Sequence, residues 1–263
     1  MKQAIVSKHL AGLLFAIAMI VSAGGICHAQ DDDIPTEKLP YFGVGAGYVR
    51  IIGLIDFDGM NNTSRSFGLG EFSGPFSMNM GGLMFTPGFI KNLRAGFFAG
   101  AGSKENSRSV TVGGAEYTRT IYFTDVVVTS QVDYAVPLSS SFAMFFGSFL
   151  GGGRYTFGVS QTQSTGVKFD SVFASGVFGG DPNVTNFNRF AREISYHVFF
   201  TPSVNFEYTL TPNIMFRVGA GYNLSFKISD WADEGGVTIA NSPAIGANGI
   251  ALQVGVFGGL FQH

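Results

Sequence analysis

The stretch EISYHVFFTPSVNFEYTL (193–210), followed after a TPN break (211–213) by IMFRVGAGYNLSFKIS (214–229), decides the fold. In the first run the even positions Ile194, Tyr196, Val198, Phe200, Pro202, Val204, Phe206, Tyr208 and Leu210 are apolar or amphipathic. The odd positions carry Glu193, Ser195, His197, Thr201, Ser203, Asn205, Glu207 and Thr209, with Phe199 the exception. The second run sets Ile214, Phe216, Val218, Ala220, Tyr222, Leu224, Phe226 and Ile228 against Met215, Arg217, Gly219, Gly221, Asn223, Ser225, Lys227 and Ser229. A period of two places successive side chains on opposite faces of a strand. Thr211-Pro212-Asn213 is turn chemistry, so the two runs read as a hairpin. Soluble strands cluster near ~5–6 residues, whereas a tilted membrane strand needs ~9–11 in hydrocarbon and can continue beyond it.

Working outward from this hairpin gives eight strands, near 41–54, 77–90, 93–104, 118–138, 141–160, 190–210, 214–229 and 247–261. The expected fold is all-β: an eight-stranded antiparallel transmembrane β-barrel, with ten strands as the alternative if Val172 to Phe178 adds a hairpin. Links 2–3 (around Lys91-Asn92), 4–5 (Ser139-Ser140) and 6–7 read as tight. Links 1–2, 3–4, 5–6 and 7–8 read as long and polar, with Asn61-Asn62-Thr63-Ser64 as exposed loop. Short periplasmic turns and long extracellular loops are the outer-membrane arrangement. Tyr196 and Tyr208 lie twelve residues apart on one face, as do Tyr122 and Tyr134. At ~3.3 Å per residue and ~45° tilt, that separation covers ~28 Å, matching an apolar band ~25 Å tall edged by aromatic girdles.

The ends and the composition agree with export. Lys2 and Lys8, an apolar run from Leu10 to Ala23 and Cys27-His28-Ala29 form a secretory signal peptide, with cleavage expected after Ala29. Residues 30–39 are then a short periplasmic tail, opening on Asp31-Asp32-Asp33, and 40–263 a single barrel domain. The only cysteine leaves with the signal, which excludes disulfides and thiolate chemistry from the mature chain. Lys2 and Lys8 leave too, so 16 basic residues become 14 against 18 acidic, a formal charge of −4 that argues against nucleic acid. Charged residues make up 13% of the chain, against ~25% in soluble domains, alongside 37 Gly and 28 Phe. No later run is long enough for a membrane helix, and in lipid the alternative is a closed barrel that pairs every backbone group.

These features, with the final strand IALQVGVFGGLF (250–261), make the chain resemble the small outer-membrane barrels, the porin-like eight-stranded proteins of the OmpX and OmpW type. The resemblance is one of pattern over about Pro40 to Phe261. It implies outer-membrane lipid with a lipopolysaccharide-type environment, and barrel-insertion machinery, as partners. Members of the family end on an aromatic residue; here Gln262-His263 follow Phe261, and Leu252, Val254, Val256 and Leu260 are out of phase with it.

Inward polar positions are expected at Arg94, Asp125, Gln131, Asp133, Arg154, Glu193, His197, Asn205, Glu207, Arg217, Asn223, Lys227 and Gln253. A three-residue 6–7 turn makes facing numbers sum to 424, so Glu207 faces Arg217 and His197 faces Lys227. A two-residue 4–5 turn makes them sum to 279, so Asp125 faces Arg154. Both oppositely charged pairs read as structural. Glu193, Ser195 and His197 share a face, but neighbours two apart on a strand are ~6.5–7 Å apart at Cα, so no nucleophile–base contact is implied. Gly43-Val-Gly-Ala-Gly47 and Gly151-Gly-Gly153 precede no helix and carry no Lys-Ser/Thr, so they read as packing glycines, not phosphate loops. No cofactor or metal site is expected. The expected function is a structural or surface-interaction barrel acting through its external loops, its lumen plugged by polar side chains. The alternatives are a narrow passive channel for small or apolar solutes and a lipid-modifying membrane hydrolase.

Overall fold

The computed structural model describes residues 40–66, 68–112, 114–163, 189–240, 242, 245 and 247–262. The leader expected over 1–29, the tail over 30–39 and the extra hairpin near Val172 to Phe178 lie outside the described residues. Eight strands are described: β1 (Phe42–Gly53), β2 (Phe76–Phe85), β3 (Leu93–Val112), β4 (Ala115–Pro137), β5 (Phe142–Gln163), β6 (Arg189–Thr211), β7 (Ile214–Lys227) and β8 (Gly249–Gln262). Each pairs antiparallel with its sequence neighbours, and β1 pairs with β8 from Phe42↔Gln262 to Gly53↔Ala251, closing the barrel. Among the described residues, no helix is long and apolar enough to cross a membrane.

The turn end of the barrel follows local chemistry. Between β2 and β3, Gly88 and Asn92 adopt φ of 75° and 63°, a region that Gly and Asn tolerate. Asn92 also fastens this end: its Oδ1 accepts the Tyr41 N–H at 2.9 Å and its carbonyl accepts the Ala135 N–H. Between β6 and β7 the facing numbers sum to 424 from Thr209↔Met215 upward, and a bulge at Leu210 sets Thr211 against Ile214. The β4–β5 turn is longer than two residues. Leu138 and Ser139 both donate their N–H groups to the Phe142 carbonyl, and Pro137 pairs with Ala143. Facing numbers there sum to 280, so Asp125 faces Tyr155. A one-residue slip moves every side chain of a strand to the other face. Arg154 is therefore outside the barrel, and the expected Asp125–Arg154 pair does not form.

The opposite end departs further from expectation. Link 3–4 is no long loop: β3 and β4 stay paired to Val112↔Ala115 and turn at Gly114, whose φ is 83°. Link 1–2 contains a helix, α1 (Asp58–Ser66), whose first N–H donates to Asp56 Oδ1. Asn61 and Ser64, expected in exposed loop, are buried. The Asn61 side chain accepts from the Phe72 N–H and donates to its carbonyl, and the Ser64 hydroxyl donates to the Gly70 carbonyl.

The faces of the barrel are sharply divided. On β8, Leu252, Val254, Val256 and Leu260 are exposed outward, while Ala251, Gln253, Phe257 and Phe261 are buried inside. Phe261 is thus lumenal without any bulge resetting the register. Three apolar clusters fill the interior. Tyr41, Ala135, Ala143 and Phe145 lie at the turn end. Phe98, Phe149 and Phe257 centre the middle, packed edge to face. Phe57, Met60 and Phe72 from link 1–2 and Trp231 from link 7–8 join Phe123 and Phe157 at the loop end. Small residues leave room for these rings: a Cβ at Gly219 would collide with the Asn205 side chain. Gly219→Ala should therefore lower the midpoint of urea unfolding, at about 1–3 kcal/mol for overpacking. Gly81→Ala, whose Cβ would meet nothing nearer than 3.9 Å, should leave the midpoint unchanged or slightly raised.

Candidate functional site

The eight strands enclose a lumen, and two separate groups of its polar side chains are each bonded together. The first lies near the turns. Register places Arg94 against Asp133 on β3–β4 and Glu207 against Arg217 on β6–β7. Arg94 Nη2 donates to Asp133 Oδ2 at 2.5 Å, and its Nη1 crosses the lumen to Glu207 Oε2 at 2.7 Å. Arg217 donates from Nε and Nη2 to Glu207 Oε1, both at 2.7 Å, and from Nη1 to Gln131 Oε1 at 3.2 Å. Gln131 Nε2 donates onward to Asp133 Oδ2. All four charged side chains are 0–1% exposed. The guanidinium of Arg94 also lies 3.9 Å from the Phe145 ring centre, and that of Arg217 4.7 Å from Phe257.

Two positive and two negative groups balance within this cluster, which makes burial tolerable. Glu207 is the shared acceptor of both arginines. It lies buried in the turn half, where an eight-stranded barrel is only wide enough for its side chains.

The second group sits toward the loops. His197 Nε2 lies 3.0 Å from Asp125 Oδ1, and His197 Nδ1 lies 3.3 Å from Ser225 Oγ. Ser225 Oγ lies 2.9 Å from the Tyr155 hydroxyl, and the Tyr155 ring stacks on the imidazole, centroids 3.8 Å apart. A neutral imidazole protonated at Nε2 suits one direction of the chain: Tyr155 donates to Ser225, Ser225 to Nδ1, and Nε2–H to Asp125. The connectivity is that of a nucleophile, base and orienter. Ser225 N–H, however, is committed to Asn248 Oδ1 at 2.7 Å, and the described donors around the hydroxyl form no oxyanion hole.

Beside this group is a cavity of about 60 Å³, lined chiefly by Ile51, Met80, Val127, Phe149 and Phe199 with Asp125 and His197 at one side. The middle aromatic layer and the charge cluster separate it from the turn end.

The other expected lumen residues divide. Asn205 and Gln253 are buried inside; among the described residues neither amide atom of Gln253 finds a partner. Asn223 is half-buried, accepting from Thr201 and donating to the Ala247 carbonyl. Glu193 is half-buried, and among the described residues its Oε2 has no partner. Ser195 donates to the Ser229 carbonyl, so Glu193, Ser195 and His197 do not assemble. Lys227 faces His197 in register, but β7 ends there and its long stem carries the ammonium out to Asp230, 3.2 Å away. Arg154 is outside the lumen. Ser225 and Tyr155 were not singled out from the sequence, although Ser225 lies on the polar face of the second run.

The charge cluster predicts its own mutational signature. Glu207→Gln and Arg217→Met should each cost about 3–5 kcal/mol by leaving buried charge uncompensated, and the double variant should recover part of that. Additive losses in a thermal or urea series would show that the two side chains act independently.

No family model and no curated protein matches the chain. Among solved structures it is similar to Ail, the attachment invasion locus protein of Yersinia pestis, with 8% identity over 85% of this chain and 99% of that one, and a TM-score of 0.34. A second structure of Ail, in complex with the heparin analogue sucrose octasulfate, gives 8% identity over the same shares and a TM-score of 0.31.

Proposed function

We propose that the chain is an integral outer-membrane barrel with a sealed lumen, which acts through the surface that its loop end presents. The observation that carries this reading is the inversion of its two faces. Val128, Leu83, Leu150 and Phe97 stand outward at 57–65% exposure, while Arg94, Asp133, Glu207 and Arg217 are buried inside. An apolar belt around the whole circumference far exceeds the patch of a few hundred Å² that a soluble monomer leaves exposed. It suits hydrocarbon, where a closed barrel satisfies every backbone group. Tyr122, Tyr134, Tyr196 and Tyr208 all lie on this outward face and serve as its girdle. The signal-like N-terminus supports export to that membrane, with insertion by its barrel-inserting machinery.

The sealed turn half favours interaction over conduction. In planar bilayers the purified chain should insert without stable openings; step-like openings at moderate voltage would overturn the sealed-lumen reading. The lipid-facing belt has its own check. Val128→Arg should impair refolding into vesicles by about 2–4 kcal/mol if it lies near the midplane, and Val128→Leu should not. Equal refolding of the two variants would overturn the membrane reading.

The cavity beside His197 favours a second reading, uptake of a small apolar solute that goes no further than the middle aromatic layer. Trp231 is the chain's only tryptophan and belongs to the same loop-end cluster as Tyr155 and Phe76, which line the cavity. A saturable change in its fluorescence on adding short-chain alcohols would favour that reading, and a flat response the first.

A further inference from the structure

The outer face of β5 carries one cation in apolar surroundings. Arg154 is exposed and faces outward, because its neighbours Gly153 and Tyr155 face the lumen. In register beside it are Val126 on β4 and Tyr196 on β6, 41% and 51% exposed. Among the described residues the Arg154 guanidinium has no hydrogen-bond or ion-pair partner. An unpaired arginine on a lipid-facing surface is tolerated at the edge of the hydrocarbon and not at its middle, so its height matters.

Register fixes that height. Arg154 is level with Tyr196, and Phe142 with Tyr208, so Arg154 stands at the loop-side end of a span of ~28 Å. The next two outward residues on β5, Thr156 and Gly158, are buried, so the open outer face of the strand is interrupted just loopward of Arg154. Toward the loops, outward-facing Arg192 on β6 and Tyr122 on β4 are both in register with Gly158, and the Tyr122 ring lies over that glycine. The charge of Arg192 is met by Glu234; that of Arg154 is not.

We propose that Arg154, flanked by the Tyr196 hydroxyl, binds the phosphate of an anionic lipid headgroup in the leaflet nearest the loops. The inference rests on the membrane reading above and adds a lipid class to it. A guanidinium offers a planar fork to two phosphate oxygens, and its stem lies along the apolar belt while the head reaches the headgroup layer. The occupant is lipid-borne because the site opens sideways into the belt rather than into water.

The test uses the chain in nanodiscs of phosphatidylcholine, alone or with a minor fraction of phosphatidic acid, read by native mass spectrometry and thermal midpoint. The wild type should retain phosphatidic acid and melt higher in its presence. R154Q should insert equally well in phosphatidylcholine but retain about tenfold less, the loss of one charge-assisted contact. R154K should fall between the two. Equal retention by R154Q would overturn the proposal. Inorganic phosphate added to phosphatidylcholine discs should leave the midpoint unmoved; a matching rise would assign the site to free phosphate and overturn the lipid source. A wild type that fails to enter either disc refutes the membrane reading itself, and the headgroup site with it.

Discussion

The ion pair between Arg94 and Glu207 spans the lumen between β3 and β6, strands that do not touch along their backbones. Backbone ladders hold each strand only to its two neighbours. This contact, with Arg217 to Gln131 between β7 and β4, ties opposite walls together. Neither arginine could be buried alone, since desolvating an unpaired charge costs several kcal/mol. Arg94 needs Asp133 from the next strand and Glu207 from across the barrel, so its neutralisation depends on the closed ring. The charge cluster can complete itself only in the correct register.

Around that fixed layer most of the interior is apolar, with the His197–Asp125 group as a second polar island nearer the loops. Phe98, Phe149 and Phe257 stack above it, and the loop end is roofed by α1 and Trp231. The lumen is therefore largely a side-chain core, with polar groups at two levels and a small cavity beside the upper one. Its outer face is as apolar as its centre. The glycines mark where rings need space: those of β1 lie inward at Gly45 and Gly47, against Phe261 and Phe257.

The strands were legible because alternation is a local signal. Register was legible wherever the turn was short and correctly read: Thr211-Pro212-Asn213 placed Glu207 against Arg217. It failed at β4–β5, where Leu138 and Ser139 share one acceptor and the turn holds more residues than two serines suggested. It was silent at β3–β4, where a segment with Glu105 and Arg108 looked like loop yet runs on as paired strand. The Arg94–Asp133 facing was lost with it. Contacts across the lumen, such as Arg94–Glu207 or Tyr155–Ser225, leave no trace in periodicity, because strand pairing does not say which opposite side chains meet. Nor did polar Asn61 and Ser64 betray that they would be buried within a helix roofing an aromatic cluster.

The seam joins Phe42 to Gln262, so the first strand finds its second partner only in the last. Almost the whole described chain lies between these two edges. Contacts of such long sequence separation form slowly, because loop closure is costly until the ring is complete. Until then β1 and β8 each present an unpaired row of N–H and C=O groups, a template for pairing with other chains. The finished ring has no edge, but every precursor of it has two. The hazard of this architecture therefore falls within its assembly, in the interval before its ends meet.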